Sequence, residues 1–195
     1  MPHHFCKTLN IKRVFSNSLF QGGSLNKTLI AYQTLYGSTK EAAQLIAEIL
    51  KEDFQLEVDV HRFEKDKIDP SISEYDNLVL GSCIFNGEWG RKAEEFLKND
   101  FSTKKLALFV CSGFAGEQEL YKQARRTFLN DIVEKYPKVK PVSMEAFGGR
   151  VPVTKVPHVW YLTTTKQMPK FRYDNRNLDK VKKWAFEVGK IFSIG

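Results

Sequence analysis

Two spacings of apolar residues alternate along this chain between residues 27 and 192. Short apolar or alternating runs predict five strands, at 27–34, 55–63, 75–84, 104–112 and 138–147. Apolar residues three and four apart predict four helices, at 38–53, 88–99, 118–136 and 178–192. Because strands mostly alternate with helices, the pattern indicates an α/β fold, a doubly wound five-stranded parallel sheet with helices on both faces.

Two of the predicted strands differ in their expected burial. Residues 55–63 alternate between apolar and polar, which is typical of an edge strand with one face in water. Residues 104–112 are the most apolar run of the chain and are expected at the centre of the sheet. The sheet should therefore have 55–63 at one side.

The turn between the first strand and the first helix carries candidate chemistry. Thr34, Ser38 and Thr39 supply three hydroxyls there, and backbone N–H groups face outward at the positive end of the helix. Ser38 is expected to cap the helix, with Glu41 completing a capping box. A turn that merely caps a helix is the alternative, but capping accounts for one hydroxyl and not three. We expect the turn to hold a lone phosphate monoester, with these contacts: Thr34, Tyr36, Gly37, Ser38 and Thr39.

Other phosphate-related functions fit this turn poorly. A nucleoside triphosphatase loop needs Gly-Lys-Ser or Gly-Lys-Thr, which is absent. A dinucleotide-binding turn needs several glycines, and this one has only Gly37. A phospho-receiver places acidic residues after its first and third strands, where this chain has Thr34 and the run 81–83.

Two further loops are predicted at the same edge of the sheet, because ligands of doubly wound sheets bind beyond the carboxyl ends of the strands. Both loops combine glycines, which allow close backbone approach, with aromatic residues that can stack on a flat ring. Trp89 also falls on the apolar stripe of the following helix, so core packing is an equal alternative for it. The candidate residues are Ser82, Cys83, Ile84, Phe85, Asn86, Gly87 and Trp89 in one loop, and Cys111, Ser112, Gly113, Phe114 and Gly116 in the other.

Composition limits the class of protein. A chain of 195 residues with 42% hydrophobic residues suits one domain, which we place at 25–195, and no apolar run reaches the ~20 residues that span a bilayer. Three cysteines form neither an even disulfide set nor a metal pattern, and the four histidines show no ligand spacing. We expect a cytoplasmic protein without a metal site. Although the net charge is +7, no nucleic-acid recognition motif accompanies the bases, so no nucleic-acid partner is expected.

The positive charge is concentrated in two segments. Residues 1–24 carry three bases and no acid, and are expected to add nothing to the core fold. Gln21-Gly22-Gly23 is what a bacterial ribosome-binding sequence would encode, so a natural start at Leu25 is one interpretation of this extension; an organelle import signal is the other. Residues 151–176 carry five bases, one acid and four large aromatic residues without clear periodicity. Such a long irregular insertion is expected to be functional.

The phosphate turn followed by two glycine-rich aromatic loops resembles the flavodoxin superfamily over about residues 26–192. The resemblance implies a flavodoxin-like fold in which the first loop binds the phosphate of FMN and the other two enclose the isoalloxazine ring. It also implies that the flavin supplies the reaction, and we name no catalytic residue. Electron carriers of this superfamily are typically acidic, whereas this chain is basic.

The insertion between the last strand and last helix is similar to that of menaquinone-dependent protoporphyrinogen IX dehydrogenases. Further similarity lies in Tyr75-Asp76, in Lys92-Ala93 to Phe96, and in the run 179–185. This resemblance implies an FMN-dependent dehydrogenase that oxidises a flat, porphyrinogen-like substrate and reduces a quinone. The basic insertion would then hold a carboxylated macrocycle or an anionic membrane surface. Two alternatives stay open: a one-electron carrier for a partner with an acidic docking face, and a flavin-free binding module of the same fold.

Overall fold

Five parallel strands form the centre of the structure, a computed structural model that describes residues 27–64, 70–151 and 174–194. With one short antiparallel strand added, the strands are β1 (Lys27–Gln33), β2 (Glu57–Arg62), β3 (Asn77–Phe85), β4 (Glu88–Trp89), β5 (Lys105–Ser112) and β6 (Ser143–Gly148). They stand in the order β2-β1-β3-β5-β6, and the short β4 pairs antiparallel with β3. This order confirms the predicted fold class, with 55–63 at one edge of the sheet.

Helices cover both faces of the sheet. They are α1 (Ser38–Glu52), α2 (Arg91–Phe96), α3 (Tyr121–Arg125), α4 (Asp131–Lys135) and α5 (Leu178–Ser193). Two of them, α1 and α5, pack on one face, where Trp184 of α5 meets Phe109 of β5 and Phe147 of β6. The shorter helices α2, α3 and α4 pack on the other face around residues such as Phe96 and Leu129.

Strand pairing aligns the carboxyl ends of β1, β3 and β5. Gln33 pairs with Ser82, and Cys83 pairs with Cys111, so the loops that follow these strands begin side by side. The strand order reverses at β1, which lies between β2 and β3. The position at which doubly wound sheets bind ligands is therefore the one the three loops share.

Two predicted helices differ from the structure. The helix predicted at 88–99 was wrong at its start, because Asn86 and Gly87 have φ of 51° and 84° and form a tight turn that returns the chain as β4. The helix predicted at 118–136 begins at Tyr121 and contains a π-helical segment, Arg126–Asn130, between α3 and α4. A π-helical turn is wider than an α-helical one. Within this segment the Phe128 carbonyl accepts a hydrogen bond from the Trp89 indole N–H.

Some predictions concern residues that the structure does not describe. The extension 1–24 lies outside the described residues, as does the insertion 151–176 apart from its two ends. Among the described residues, no helix is both long enough and apolar enough to cross a bilayer.

Candidate functional site

A cleft of about 430 Å³ opens at the carboxyl ends of β1, β3 and β5. The structure brings together most of the predicted site residues in its lining, which comes from all three predicted loops. The predicted residues that line it are Thr34, Tyr36, Ser38, Thr39, Cys83, Ile84, Phe85, Asn86, Gly87, Cys111, Ser112, Gly113 and Phe114.

Four predicted residues do not line the cleft, and five others do. Gly37, Ser82, Trp89 and Gly116 are outside the lining, where they support the loops. Sequence reasoning missed Leu35 and Phe128, and also the run Gly149 to Val151 that follows β6. The signal for that run was present, because Gly149 comes directly after the last strand, which ends at Gly148, and therefore lies at the same edge of the sheet.

The first loop determines which backbone amides are hydrogen-bonded at the N-terminus of α1. Gly37 adopts a φ of 94°, and its N–H donates to Thr34 Oγ1 at 3.1 Å. The first bond inside the helix runs from the Glu41 N–H to the Gly37 carbonyl, at 3.0 Å. The N–H groups of residues 38–40 therefore have no acceptor within α1, and the positive end of the helix faces the cleft.

Ser38 does not cap α1, and that prediction was wrong. The N-cap residue is Gly37, which has no side chain, and Ser38 is already inside the helix. The Ser38 hydroxyl instead accepts the Arg150 N–H at 2.8 Å and so ties the end of β6 to the first loop. Its hydroxyl hydrogen is left to donate to another group.

Thr39 carries a buried hydroxyl for which the described part of the chain offers no regular hydrogen-bond partner. The Cys111 thiol lies near enough for this hydroxyl to lower its pKa, but burial is the larger effect and raises that pKa to about 12. We regard the contact as weak, because a neutral thiol is a poor hydrogen-bond partner. Because buried polar groups in proteins are normally hydrogen-bonded, this hydroxyl at the cleft suits a hydrogen bond to a bound ligand.

The second loop presents one aromatic ring to solvent. The Asn86-Gly87 turn joins β3 to β4 and leaves the Phe85 side chain 52% exposed beside the cleft. Ser82 is buried beneath it; its hydroxyl accepts the Gly90 N–H at 2.9 Å and donates to the Cys83 carbonyl at 3.0 Å. Burial raises the pKa of the Cys83 thiol, which keeps this wall neutral at neutral pH.

The third loop presents a second exposed ring. Ser112 Oγ accepts the Ala115 N–H at 3.1 Å, which shapes the short 3₁₀ turn Phe114–Gly116. Phe114 is 44% exposed at the mouth of the cleft. Gly116 lies against the Asn175 side chain, which a Cβ at this glycine would meet at 2.2 Å.

Trp89 belongs to the core. It is 7% exposed, and its indole N–H donates to the Phe128 carbonyl at 2.6 Å. Of the two alternatives for Trp89, stacking on a ligand and core packing, its position therefore matches core packing.

Replacing Trp89 with phenylalanine should destabilise the protein without altering ligand binding. The variant leaves the buried Phe128 carbonyl without its donor, which costs about 1–3 kcal/mol of unfolding free energy. Urea denaturation measures this loss. A variant as stable as the wild type, or one that binds ligand much more weakly at full stability, would contradict the core assignment.

Two known proteins resemble this chain in sequence. A stretch of 74 residues is 39% identical to "Protoporphyrinogen IX dehydrogenase [quinone]" of Escherichia coli K12, and it covers 37% of this chain and 39% of that protein. The match thus spans about two fifths of the length of the enzyme. The flavodoxin-like domain-containing protein BilS of Clostridioides difficile is 28% identical over 152 residues, which is 78% of this chain and 79% of BilS.

Solved structures share the fold. Oxidised flavodoxin 1 of Bacillus cereus gives a TM-score of 0.53 at 16% identity, over 85% of this chain and 96% of that one. A point mutant of a flavo di-iron protein from Thermotoga maritima gives 0.54 at 16% identity, over 87% of this chain but only 36% of that one. The family model of the flavodoxin domain matches residues 29–170, which is most of the chain. This protein belongs to the flavodoxin domain family.

Proposed function

We propose that this protein binds FMN in the cleft and uses it to oxidise a flat, reduced substrate of the porphyrinogen type, with a quinone as electron acceptor. The observation that carries the flavin assignment is the buried Thr39 hydroxyl without a regular partner among the described residues, next to the N–H groups at the start of α1. Hydroxyl and amide donors at a helix N-terminus suit a phosphate monoester, which is how FMN ends. The residues present therefore fit the cofactor.

Each wall of the cleft has a separate task in this proposal. Ser38 and Thr39 would hold the phosphate, with the amide groups of the first turn of α1. Phe85 and Phe114 would contact the ring, because both expose large aromatic surface at the cleft. When bound, FMN supplies the transfer of electrons.

The chain's own contribution is to position the cofactor and to exclude water. Cys83 and Cys111 both line the cleft, and burial raises the pKa of each thiol. Both thiols therefore stay protonated at neutral pH, and they add no negative charge beside the cofactor. A neutral, largely apolar wall favours stacking of a flat ring and keeps bulk water away from it.

The substrate class has its own support. The 39% identity to an enzyme named protoporphyrinogen IX dehydrogenase [quinone] favours a reduced tetrapyrrole and a quinone, although it covers 37% of this chain. A second candidate function, electron transfer to a protein partner, is favoured by the apolar rim of the cleft, where Leu35 is 49% exposed beside Phe85 and Phe114. Activity on small molecules separates the two candidates.

Two measurements test this proposal in order. Titration of the purified protein with FMN should quench flavin fluorescence, and riboflavin, which lacks the phosphate, should bind more weakly. The FMN-loaded protein is then mixed anaerobically with protoporphyrinogen, with and without a menaquinone analogue. Quinone-dependent formation of protoporphyrin is expected. Absence of FMN binding would overturn the flavin assignment, whereas binding without turnover would favour the electron carrier.

A further inference from the structure

Three consecutive residues, Asp174 to Arg176, join different walls of the cleft. Asp174 pairs antiparallel with Arg150 at the cleft lining, and the Asn175 N–H donates to the Gly149 carbonyl at 3.2 Å. The Asn175 side chain also donates to the Gly113 carbonyl in the third loop. Arg176 contacts Glu41 in the first turn of α1. This short segment therefore contacts the end of β6, the third loop and the start of α1.

Arg176 is held by two carboxylates. Its Nη1 donates to Glu41 Oε2 at 2.7 Å, while its Nε and Nη2 donate to the two carboxylate oxygens of Asp174 at 2.8 and 2.5 Å. The guanidinium side chain is 25% exposed, and these bonds raise the pKa of Arg176 and lower that of Asp174. A bidentate contact of this kind fixes the orientation of an arginine.

Glu41 places a negative charge in the first turn of α1, the helix whose N-terminus faces the cleft, although Glu41 itself is not part of the cleft lining. It lies in the first turn of α1, and its N–H makes the first bond inside the helix, to Gly37. The carboxylate is close enough to the cleft to contribute to the raised pKa of the Cys111 thiol, after the larger effect of burial. Without a counter-ion, Glu41 would oppose the attraction of the helix N-terminus for a phosphate.

We propose that Arg176 is a positioning residue for the phosphate group, which acts by neutralising Glu41 and thereby keeps the N-terminus of α1 available to a dianionic monoester. This role rests on the proposed function, because it requires FMN to bind in the cleft. It assigns Arg176 no contact with the ligand, since its three described side-chain bonds go to carboxylates. It also makes phosphate recognition depend on an ion pair between Glu41 and Arg176, which lie 135 positions apart in the chain.

The test compares FMN with riboflavin in four variants of the full chain. Dissociation constants are measured by flavin fluorescence for R176A, E41Q, the double variant E41Q/R176A and K135A. Lys135 forms an ion pair of the same 2.7 Å length with Glu94, neither residue lines the cleft, and K135A serves as the matched control. Thermal melts establish that each variant is folded.

R176A should weaken FMN binding about tenfold and change riboflavin binding less than about twofold, since only FMN carries the phosphate charge. Adding E41Q should restore FMN binding to within about threefold of the wild type, because the double variant has the same net charge as the wild type over Glu41, Asp174 and Arg176. K135A should bind as the wild type does. E41Q alone should bind FMN at least as tightly as the wild type.

Three results would overturn the role. Equal losses for FMN and riboflavin would indicate a general structural effect, and failure of E41Q to rescue R176A would indicate direct contact of Arg176 with phosphate. If R176A does not fold, E41Q is tested alone, and weaker FMN binding by E41Q than by the wild type would also overturn the role. A wild-type protein that binds no FMN contradicts the proposed function itself, and so the two failures are distinguishable.

Discussion

Replacing Thr39 with valine is expected to stabilise the FMN-free protein and, at the same time, to weaken FMN binding by roughly ten- to a hundredfold. The hydroxyl is buried and makes no regular hydrogen bond to the described residues, so its loss removes an uncompensated polar group. That change should add up to about 1 kcal/mol to the unfolding free energy, because valine keeps the side chain's shape. A hydrogen bond to a charged phosphate contributes about 1.5–3 kcal/mol, and the variant loses it.

Thr34 provides the matched control for this prediction. Its hydroxyl is already used in the FMN-free protein, where it accepts the Gly37 N–H at 3.1 Å. Thr34→Val should therefore lower both stability and FMN affinity, whereas Thr39→Val moves them in opposite directions. Urea denaturation without flavin and fluorescence titration with FMN give the two quantities. If Thr39→Val destabilised the FMN-free protein by about 1 kcal/mol or more, the hydroxyl would have a structural partner and the phosphate role would fail.

The periodic elements were predictable because each one depends on local spacing. The alternation in 55–63 predicted the edge position of β2, and the apolar residues of α1 predicted its buried face. The switch-point cleft followed from the same pattern, since parallel strands place the loops after β1, β3 and β5 together. Thirteen of the seventeen predicted site residues therefore line the cleft.

Two local predictions were wrong because one sequence signal was given more weight than a neighbouring glycine. Asn-Gly is the sequence of a two-residue hairpin turn, yet the apolar spacing from Trp89 onward favoured a helix from residue 88. Ser38 was favoured as a cap because of its residue type, but Gly37 alone can adopt the left-handed conformation at little strain. In both places a glycine with positive φ decided the backbone.

Contacts between distant parts of the chain were beyond prediction for a different reason. The Ser38 hydroxyl meets Arg150 across 112 positions, and Asn175 meets Gly113 across 62. Nothing in the local spacing around these residues selects their partners, since the pairing depends on where β6 ends and α5 begins in three dimensions. The contacts that hold Arg150 against the first loop were missed for this reason, although the place of Gly149 to Val151 directly after β6 was open to prediction.

Gly148→Ala tests whether these distant contacts hold the cleft together, and a large loss of stability is expected. A Cβ at Gly148 would lie 1.9 Å from the Asn175 carbonyl oxygen, which is backbone and cannot rotate away. The segment Asp174 to Arg176 must then move from β6, at an expected cost of about 1–3 kcal/mol of unfolding free energy or somewhat more. FMN affinity should fall as well, because Asn175 can no longer hold the third loop at Gly113.

Gly149→Ala is the control for Gly148→Ala, since its Cβ would come no closer than 3.3 Å to any neighbour, the Ser112 carbonyl carbon. A shift of a few tenths of an ångström relieves that contact, and the loss should stay below about 1 kcal/mol. Urea denaturation of the two variants compares a backbone collision with a tight fit one residue further on. Equal stabilities would mean that the segment Asp174 to Arg176 does not press against β6, and the cleft would then need another explanation for how its third loop is held.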